Sequence, residues 1–227
     1  MDSMFERLLT LPLFCGVTQD RMAEVVGKTK FHFLKYQPGE TFITPAERCT
    51  HLKFILSGSA RISIANSRFR VSETLTGPDV VCPDFLFGMA NTYPCCAVAI
   101  DTVNVLEVEK SDYLNILTTD PVFMFNYLNY LSTNAQKTID GVMSIVKGNI
   151  EERLALWVLS LTQANATDIV FSAICSDLCR VFGAQRRTFN NAMEKLASRG
   201  LITYSDTEIQ VADRYLITDL LKAPKYV

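Results

Sequence analysis

The sequence predicts an α+β protein in three parts: a β-rich front half, one long helix and a C-terminal winged helix-turn-helix. Three observations carry this. Short strand-like segments separated by turns recur at roughly ten-residue spacing between Phe31 and Val108, as in a small barrel or sandwich. Residues 120–148 hold the longest helical pattern in the chain. Residues 172–211 read as a helix, a turn at Gly183, a second helix, a stop at Gly200 and a short hairpin. The expected boundaries are 1–118 for the barrel, 119–148 for the long helix with its hinge, and 149–227 for the winged domain.

In chain order, residues 4–26 look helical, interrupted by Pro12 and Gly16. Tyr36-Gln37-Pro38-Gly39-Glu40 is a turn, and Thr41-Phe42-Ile43 follows it. Leu52-Lys53-Phe54-Ile55-Leu56 runs into the turn Ser57-Gly58. Ala60, Ile62 and Ile64 then alternate with Arg61 and Ser63, the period-two signature of a half-buried strand. Asn66-Ser67 turns the chain, and Phe69 and Val71 continue the alternation. Ser111-Asp112 opens a second helical region.

In the long helix, Met124, Leu128, Leu131, Ala135, Val142 and Ile145 fall near heptad spacing, with Thr138 at the remaining seam position. The pattern favours a two-stranded coiled-coil seam over a helix simply packed on its own barrel. Lys147-Gly148-Asn149 breaks it and forms a hinge. A new helix runs from Ile150 to Gln163.

In the C-terminal part, Ser176-Asp177 opens a short helix with apolar positions Leu178, Val181 and Phe182. Gly183 supplies the tight turn, since glycine tolerates positive φ. Phe189, Met193 and Leu196 form one buried stripe of the next helix. Arg186, Arg187, Asn190 and Asn191 lie off that stripe. Arginine grips guanine O6 and N7 bidentately, and asparagine does the same to adenine N6 and N7. Duplex DNA is therefore the expected ligand. Arg186, Arg187 and Asn191 are expected to read base edges, while Gln185 and Thr188 touch phosphate or support the helix. Asn190 and Lys195 complete the expected DNA-binding set.

The net charge of −2 does not oppose this, because basic residues need only be local. Residues 172–204 carry five basic and two acidic side chains, a local excess of +3. No apolar run reaches the roughly 18–20 residues that span a bilayer, and the N-terminus lacks a signal-peptide pattern. A cytoplasmic protein with no membrane partner is expected, with its seven cysteines as reduced thiols rather than a disulfide framework. No catalytic carboxylate pairing, nucleophile elbow or Gly-rich phosphate loop is recognisable, so an enzyme is not expected. Cys175 and Cys179 stand at i and i+4 with no second ligand pair in sight, and His32 and His51 are lone histidines. No metal and no cofactor are expected.

The order barrel, long helix, hinge and winged helix resembles the cAMP receptor protein and fumarate–nitrate reduction regulator (CRP/FNR) family of bacterial transcription factors, over nearly the whole chain. Tyr36-x-x-Gly39-Glu40 with Gly58 looks like that family's first barrel signature. Glu151-Glu152-Arg153-Leu154-Ala155 resembles the start of its DNA domain, and Gly183 to Ile202 aligns without gaps to its recognition helix and wing link. The resemblance implies a cyclic-nucleotide-binding-like jelly-roll barrel, a dimerisation helix, a homodimer on a two-fold symmetric double-stranded operator, and RNA polymerase as a partner. The family's base-reading pattern is Arg-Glu with a second Arg four positions after the Glu. The matching positions here hold Arg186, Arg187 and Asn191, so a different operator is expected.

The chain departs from the nucleotide-binding members in one place. Cys82-Pro83 stands where the ribose-binding Gly-Glu belongs, and Cys95 stands where the phosphate-binding arginine belongs. A phosphate in a closed pocket needs a charge-assisted donor. No Arg or Lys occurs between Arg70 and Lys110. The expected effector pocket comprises Cys82, Asp84, Cys95 and Cys96, and cAMP is not expected to bind there. The alternatives are a regulator sensing a redox signal, haem or a small neutral ligand through the barrel, and a protein-interaction module that does not bind DNA.

Overall fold

A computed structural model describes residues 4–144, 148–218 and 220–221. The elements follow in chain order: α1 (Met4–Leu9), α2 (Gln19–Lys28), β1 (Phe31–Tyr36), β2 (Thr41–Ile43), β3 (His51–Ser57), β4 (Ser59–Ala65), β5 (Arg70–Thr76), β6 (Asp79–Val81), β7 (Cys96–Ala99), β8 (Val103–Glu109), α3 (Lys110–Thr119), α4 (Pro121–Ser144), α5 (Ile150–Leu161), β9 (Thr167–Ser172), α6 (Cys175–Val181), α7 (Arg186–Ser198), β10 (Thr203–Tyr204), β11 (Glu208–Asp213) and α8 (Tyr215–Thr218). They divide into two compact units. One holds residues 1–61 and 76–134, the other 62–75 and 135–227. Of the expected elements, Ile145 in the seam and Lys147 in the hinge lie outside the described residues.

The first unit is built on an antiparallel sheet in the order β1-β8-β3-β6. Leu52, Phe54 and Ile55 of β3 face Val108, Leu106 and Val105 of β8, and all six are buried. Burial of such side chains stabilises by about 1.5–3 kcal/mol each. Lys53 lies opposite Glu107 in the same register, and the two form a largely buried ion pair. β2 pairs with β7 through Thr41–Val98 and Ile43–Ala97. The β3–β4 turn requires glycine. Gly58 has φ +88°, and a Cβ there would lie 2.9 Å from the Val103 Cα. Asp101 fixes the turn by accepting from the Ser59 amide at 2.7 Å.

Helix α4 begins at Pro121, whose missing N–H costs nothing at a first helical position. Its faces differ from the sequence expectation in register. Phe123, Tyr127 and Gly141 are buried, and Tyr130, Asn134 and Lys137 are half-buried, forming one stripe at spacings of three and four. Phe125, Leu128, Ser132, Ala135, Ile139 and Val142 form a second stripe, and all six are exposed. Leu128, Ala135 and Val142 of the expected seam belong to this exposed stripe. Met124 and Leu131 are half-buried beside it, and Phe125 and Ser132 take their places. The helix is apolar at both sets of positions, so periodicity alone does not say which set the fold covers.

The second unit carries a sheet in the order β10-β11-β9-β5. Its β5 belongs to the β4–β5 hairpin, whose residues 62–75 cluster here. Arg70, Val71 and Ser72 pair with Ser172, Phe171 and Val170, and the register then shifts before Thr74–Thr167. Asp168, with φ +46°, lies beside that shift, where a bulge adds a residue to one strand. Phe69 packs on Trp157 at 5.1 Å between centroids, and Trp157 stacks on Phe171 at 4.9 Å. The aromatic column continues through Phe182 to Phe189.

Asn149 and Glu152 close a reciprocal capping box at the start of α5. The C-terminal end of α5 is held by buried charges. Arg214 donates to the Leu159 carbonyl at 2.8 Å and to the Thr162 hydroxyl at 3.3 Å. Glu73 of the hairpin accepts from the Gln163 amide at 2.9 Å. Burial draws the Arg214 guanidinium below its usual range, and the Glu73 carboxylate opposes that shift. Glu73→Ala strips the Gln163 amide of its acceptor and leaves Arg214 without this anion. The expected loss is about 1–3 kcal/mol of unit stability, measured by urea unfolding followed through the fluorescence of Trp157, the sole tryptophan.

Candidate nucleic-acid interface and barrel pocket

The interface is assembled from α6, a turn and α7. Cys175, Leu178 and Cys179 bury one side of α6. The helix begins one residue before the expected Ser176-Asp177 start. Its turn closes through the Ala184 amide donating to the Cys179 carbonyl at 2.9 Å, with Gly183 at φ +56°. Phe189, Ala192, Met193 and Leu196 are buried along α7, and Phe182 stacks on Phe189 at 5.9 Å. This packing orients the remaining face outward.

Gln185, Arg186, Arg187, Thr188, Asn191 and Lys195 are all exposed. Gln185 is the N-cap residue of α7, and Arg186 and Arg187 occupy the first turn. Asn190 differs from the rest of the set. It is half-buried, and its Oδ1 accepts from the Cys175 thiol at 3.6 Å. It lines a cleft of about 380 Å³ between α7 and the β10–β11 wing, with Cys175, Tyr204 and Asp206. Arg186 lies 3.4 Å from the Asp206 carboxylate at the wing tip, both side chains exposed. Such a pair is worth about 0–1 kcal/mol and yields readily to a competing anion. Lys195 pairs with Glu151 at 2.8 Å and so ties α7 to α5. Arg153 donates to the Phe182 carbonyl at 2.9 Å and holds the helix-turn-helix corner.

The residues of the expected effector pocket lie in the first unit. The Cys82 and Cys95 sulfurs are 3.3 Å apart. Cys95 is fully buried and Cys82 is half-buried. The neighbouring Cys95 sulfur, together with burial, pushes the Cys82 thiol well above its usual range, which keeps it protonated. Both oxygens of Asp84 accept from the Asn134 amide, at 3.0 and 2.9 Å. Tyr127 donates to the Pro83 carbonyl at 2.9 Å, and Tyr93 donates to the His51 carbonyl at 2.9 Å. Cys82, Asp84 and Cys95 thus come together around one short turn. Cys96 opens β7 directly after Cys95 and is half-buried. Tyr127 and Asn134 join this cluster from α4, with Tyr130 half-buried between them, unannounced by the barrel sequence. Their signal was the three-and-four spacing of tyrosine and asparagine with Phe123 along α4. Arg68 and Arg70 are exposed on the hairpin of the second unit. Among the described residues, no set of three or more His, Cys, Asp or Glu is placed to hold a metal ion. No described helix is long and apolar enough to cross a membrane.

The cyclic nucleotide-binding domain family matches residues 33–120, which include the hairpin that clusters with the second unit. No curated protein matches the chain. The catabolite activator protein of Thermus thermophilus is similar in structure, with a TM-score of 0.50 at 16% identity, covering 92% of this chain and 97% of that one. DNR from Pseudomonas aeruginosa gives a TM-score of 0.47 at 16% identity, over 96% of this chain and 97% of its own. FixK2 from Bradyrhizobium japonicum gives 0.48 at 16% identity, over 86% and 98%. Residues 33–120 match the cyclic nucleotide-binding domain family, and the chain has the fold of the catabolite activator protein of Thermus thermophilus.

Proposed function

We propose that this protein is a DNA-binding transcription regulator that works as a homodimer and does not answer to cAMP. The observation that carries the reading is the outward face of α7. Two arginines, a threonine and an asparagine stand exposed on the first turns of a helix whose opposite side is locked by Phe182, Phe189 and Met193. A recognition helix needs this division between rigid seating and free base-reading side chains. The proposed domains are the barrel at 1–118, the dimerisation helix and hinge at 119–148, and the winged domain at 149–227. Dimerisation is assigned to the exposed α4 stripe. Its neighbouring positions Asn129, Gln136, Thr138 and Met143 are all uncharged, so two copies meet without like-charge repulsion. RNA polymerase is the proposed partner at promoters, and the cytoplasm the proposed compartment, where the free cysteines stay reduced. No catalytic role is assigned.

Selection of bound duplexes from a random pool tests the reading. The full chain is expected to enrich a two-fold symmetric site whose half-sites are about 10 base pairs apart, centre to centre. Enrichment of no sequence would overturn it.

The pocket argues against cAMP on two grounds. Cys82-Pro83 and Cys95 stand at the positions matched to the ribose and phosphate contacts, with the two thiols in mutual contact, and the adjacent carboxylate is bonded by Asn134. Titration calorimetry with cAMP and cGMP is expected to show no saturable binding up to about 1 mM, a free energy weaker than about −4 kcal/mol. Micromolar binding of either nucleotide coupled to tighter operator binding would reverse this assignment.

A further inference from the structure

We propose that Cys82 and Cys95 form a reversible disulfide, which makes the barrel pocket a modification site for hydroperoxide-class oxidants. The chemistry stands on the first unit alone. Its consequence for DNA rests on the regulator reading above.

Three features point to the pair. The sulfurs are already 3.3 Å apart although thirteen residues separate them in the chain, so no large rearrangement is needed to reach a bond of about 2.05 Å. Cys82 has a left-handed backbone, φ +48° and ψ +46°, directly before Pro83. That conformation is disfavoured for a residue with a Cβ, and a residue before proline is normally pushed to extended backbone. Strain of this kind costs on the order of 1–3 kcal/mol and persists where surrounding contacts hold it, as the Tyr127 and Asn134 bonds do here. The residues also differ, Cys82 half-buried as a whole and Cys95 fully buried, and Cys82 is assigned as the attacked residue and Cys95 as the resolving one.

The steps balance. The fraction of Cys82 that has lost its proton to solvent attacks, as thiolate, the terminal oxygen of a hydroperoxide; the O–O bond breaks, the leaving alkoxide or hydroxide takes up a proton and departs as alcohol or water, and Cys82 becomes a sulfenic acid. The Cys95 sulfur then attacks the Cys82 sulfur, the S–O bond breaks, the Cys95 proton leaves with the oxygen as water, and the S–S bond forms. Two thiols are oxidised and one peroxide is reduced. A dithiol reductant reverses the bond by exchange. Because burial and the second sulfur favour the protonated form of Cys82, the attack is slow and is expected to quicken as pH rises. Closing the bond draws the Cys82–Asp84 turn toward Cys95. That turn holds Tyr127 through the Pro83 carbonyl and Asn134 through Asp84. Both residues sit on α4, whose opposite stripe is the proposed seam.

The test uses the reduced full chain, treated with hydrogen peroxide, denatured, alkylated with iodoacetamide and peptide-mapped. The expected product has lost two hydrogens and contains a Cys82–Cys95 cross-linked peptide that dithiothreitol restores. Cys95→Ser is expected to stop at a sulfenic acid on Cys82 that dimedone labels, and Cys82→Ser to give neither product. Recovery of both residues as alkylated thiols, while the exposed Cys15 is oxidised, overturns the proposal. So does linkage of either residue to a different cysteine. For the consequence, oxidised and reduced parent are compared on the selected operator. A change in affinity of at least about fivefold, absent in Cys82→Ser, is expected for a coupled switch. A disulfide that forms with unchanged affinity overturns the signalling role. Failure of both forms to bind any duplex overturns the regulator reading and leaves the disulfide standing.

Discussion

Arg186→Ala is expected to weaken binding to the selected operator by about 10- to 100-fold, roughly 1–3 kcal/mol, and to relax selection at one base pair. Arg187→Ala is expected to act similarly at a second position. The argument starts from placement. Both residues lie on the first turn of α7, exposed, on a helix held by the Phe182–Phe189 stack. Arg186 sits 3.4 Å from Asp206 in a solvated pair that costs little to exchange for a base edge. A truncation at this site removes a contact without disturbing the fold, so the thermal transition is expected to stay that of the parent. Lys195→Ala makes a useful contrast. Its partner is Glu151 on α5, so its loss is expected to act uniformly across sequences if at all. The measurement is mobility shift against the selected operator and single-base variants at fixed salt, since salt alone moves such affinities by orders of magnitude. Parent-like binding by both arginine variants would remove α7 as the reading helix.

Ile139→Glu is expected to convert the proposed homodimer to a monomer. Ile139 is 63% exposed in the chain and falls in the middle of the exposed α4 stripe. In a parallel two-fold seam it faces its own copy, so the substitution buries two like carboxylates against each other. The cost is on the order of 4 kcal/mol, about a thousandfold in the dimerisation constant. The same exposure means that the isolated chain loses almost no packing, and its unfolding is expected to be unchanged at low concentration. Leu131→Glu separates seam from core. Leu131 is half-buried beside the stripe, so glutamate there is expected to destabilise the chain itself as well. Sedimentation of Ile139→Glu as a parent-like dimer would take α4 out of the interface.

Much of this protein was legible in its residues. Alternating Ala60, Ile62 and Ile64 mark β4, Pro121 opens the long helix, and Phe189, Met193 and Leu196 set the buried face of α7. These features are local: a period of two or 3.6 and a turn residue at the right offset determine them whatever the rest of the chain does. The outward Arg186, Arg187 and Asn191 followed from the same periodicity, because a helix with one buried stripe has its other face defined.

The tertiary structure decided four other matters. Met124 and Leu131 compete with Phe125, Ser132 and Ile139 for the seam, and their spacing is equally good. Which stripe is covered depends on what packs beside the helix. The hairpin of residues 62–75 reads as part of the barrel and matches the cyclic nucleotide-binding family, yet its strand pairs with β9 nearly a hundred residues on. Asn190 looks like its neighbour Asn191, but the Cys175 thiol turns it inward. Cys82 and Cys95 meet because a turn and a strand fold toward each other. In each case the deciding contact joins residues far apart in the chain, and no local period encodes a partner at that distance. The choice falls to whichever pairing buries most apolar surface while leaving its polar groups bonded.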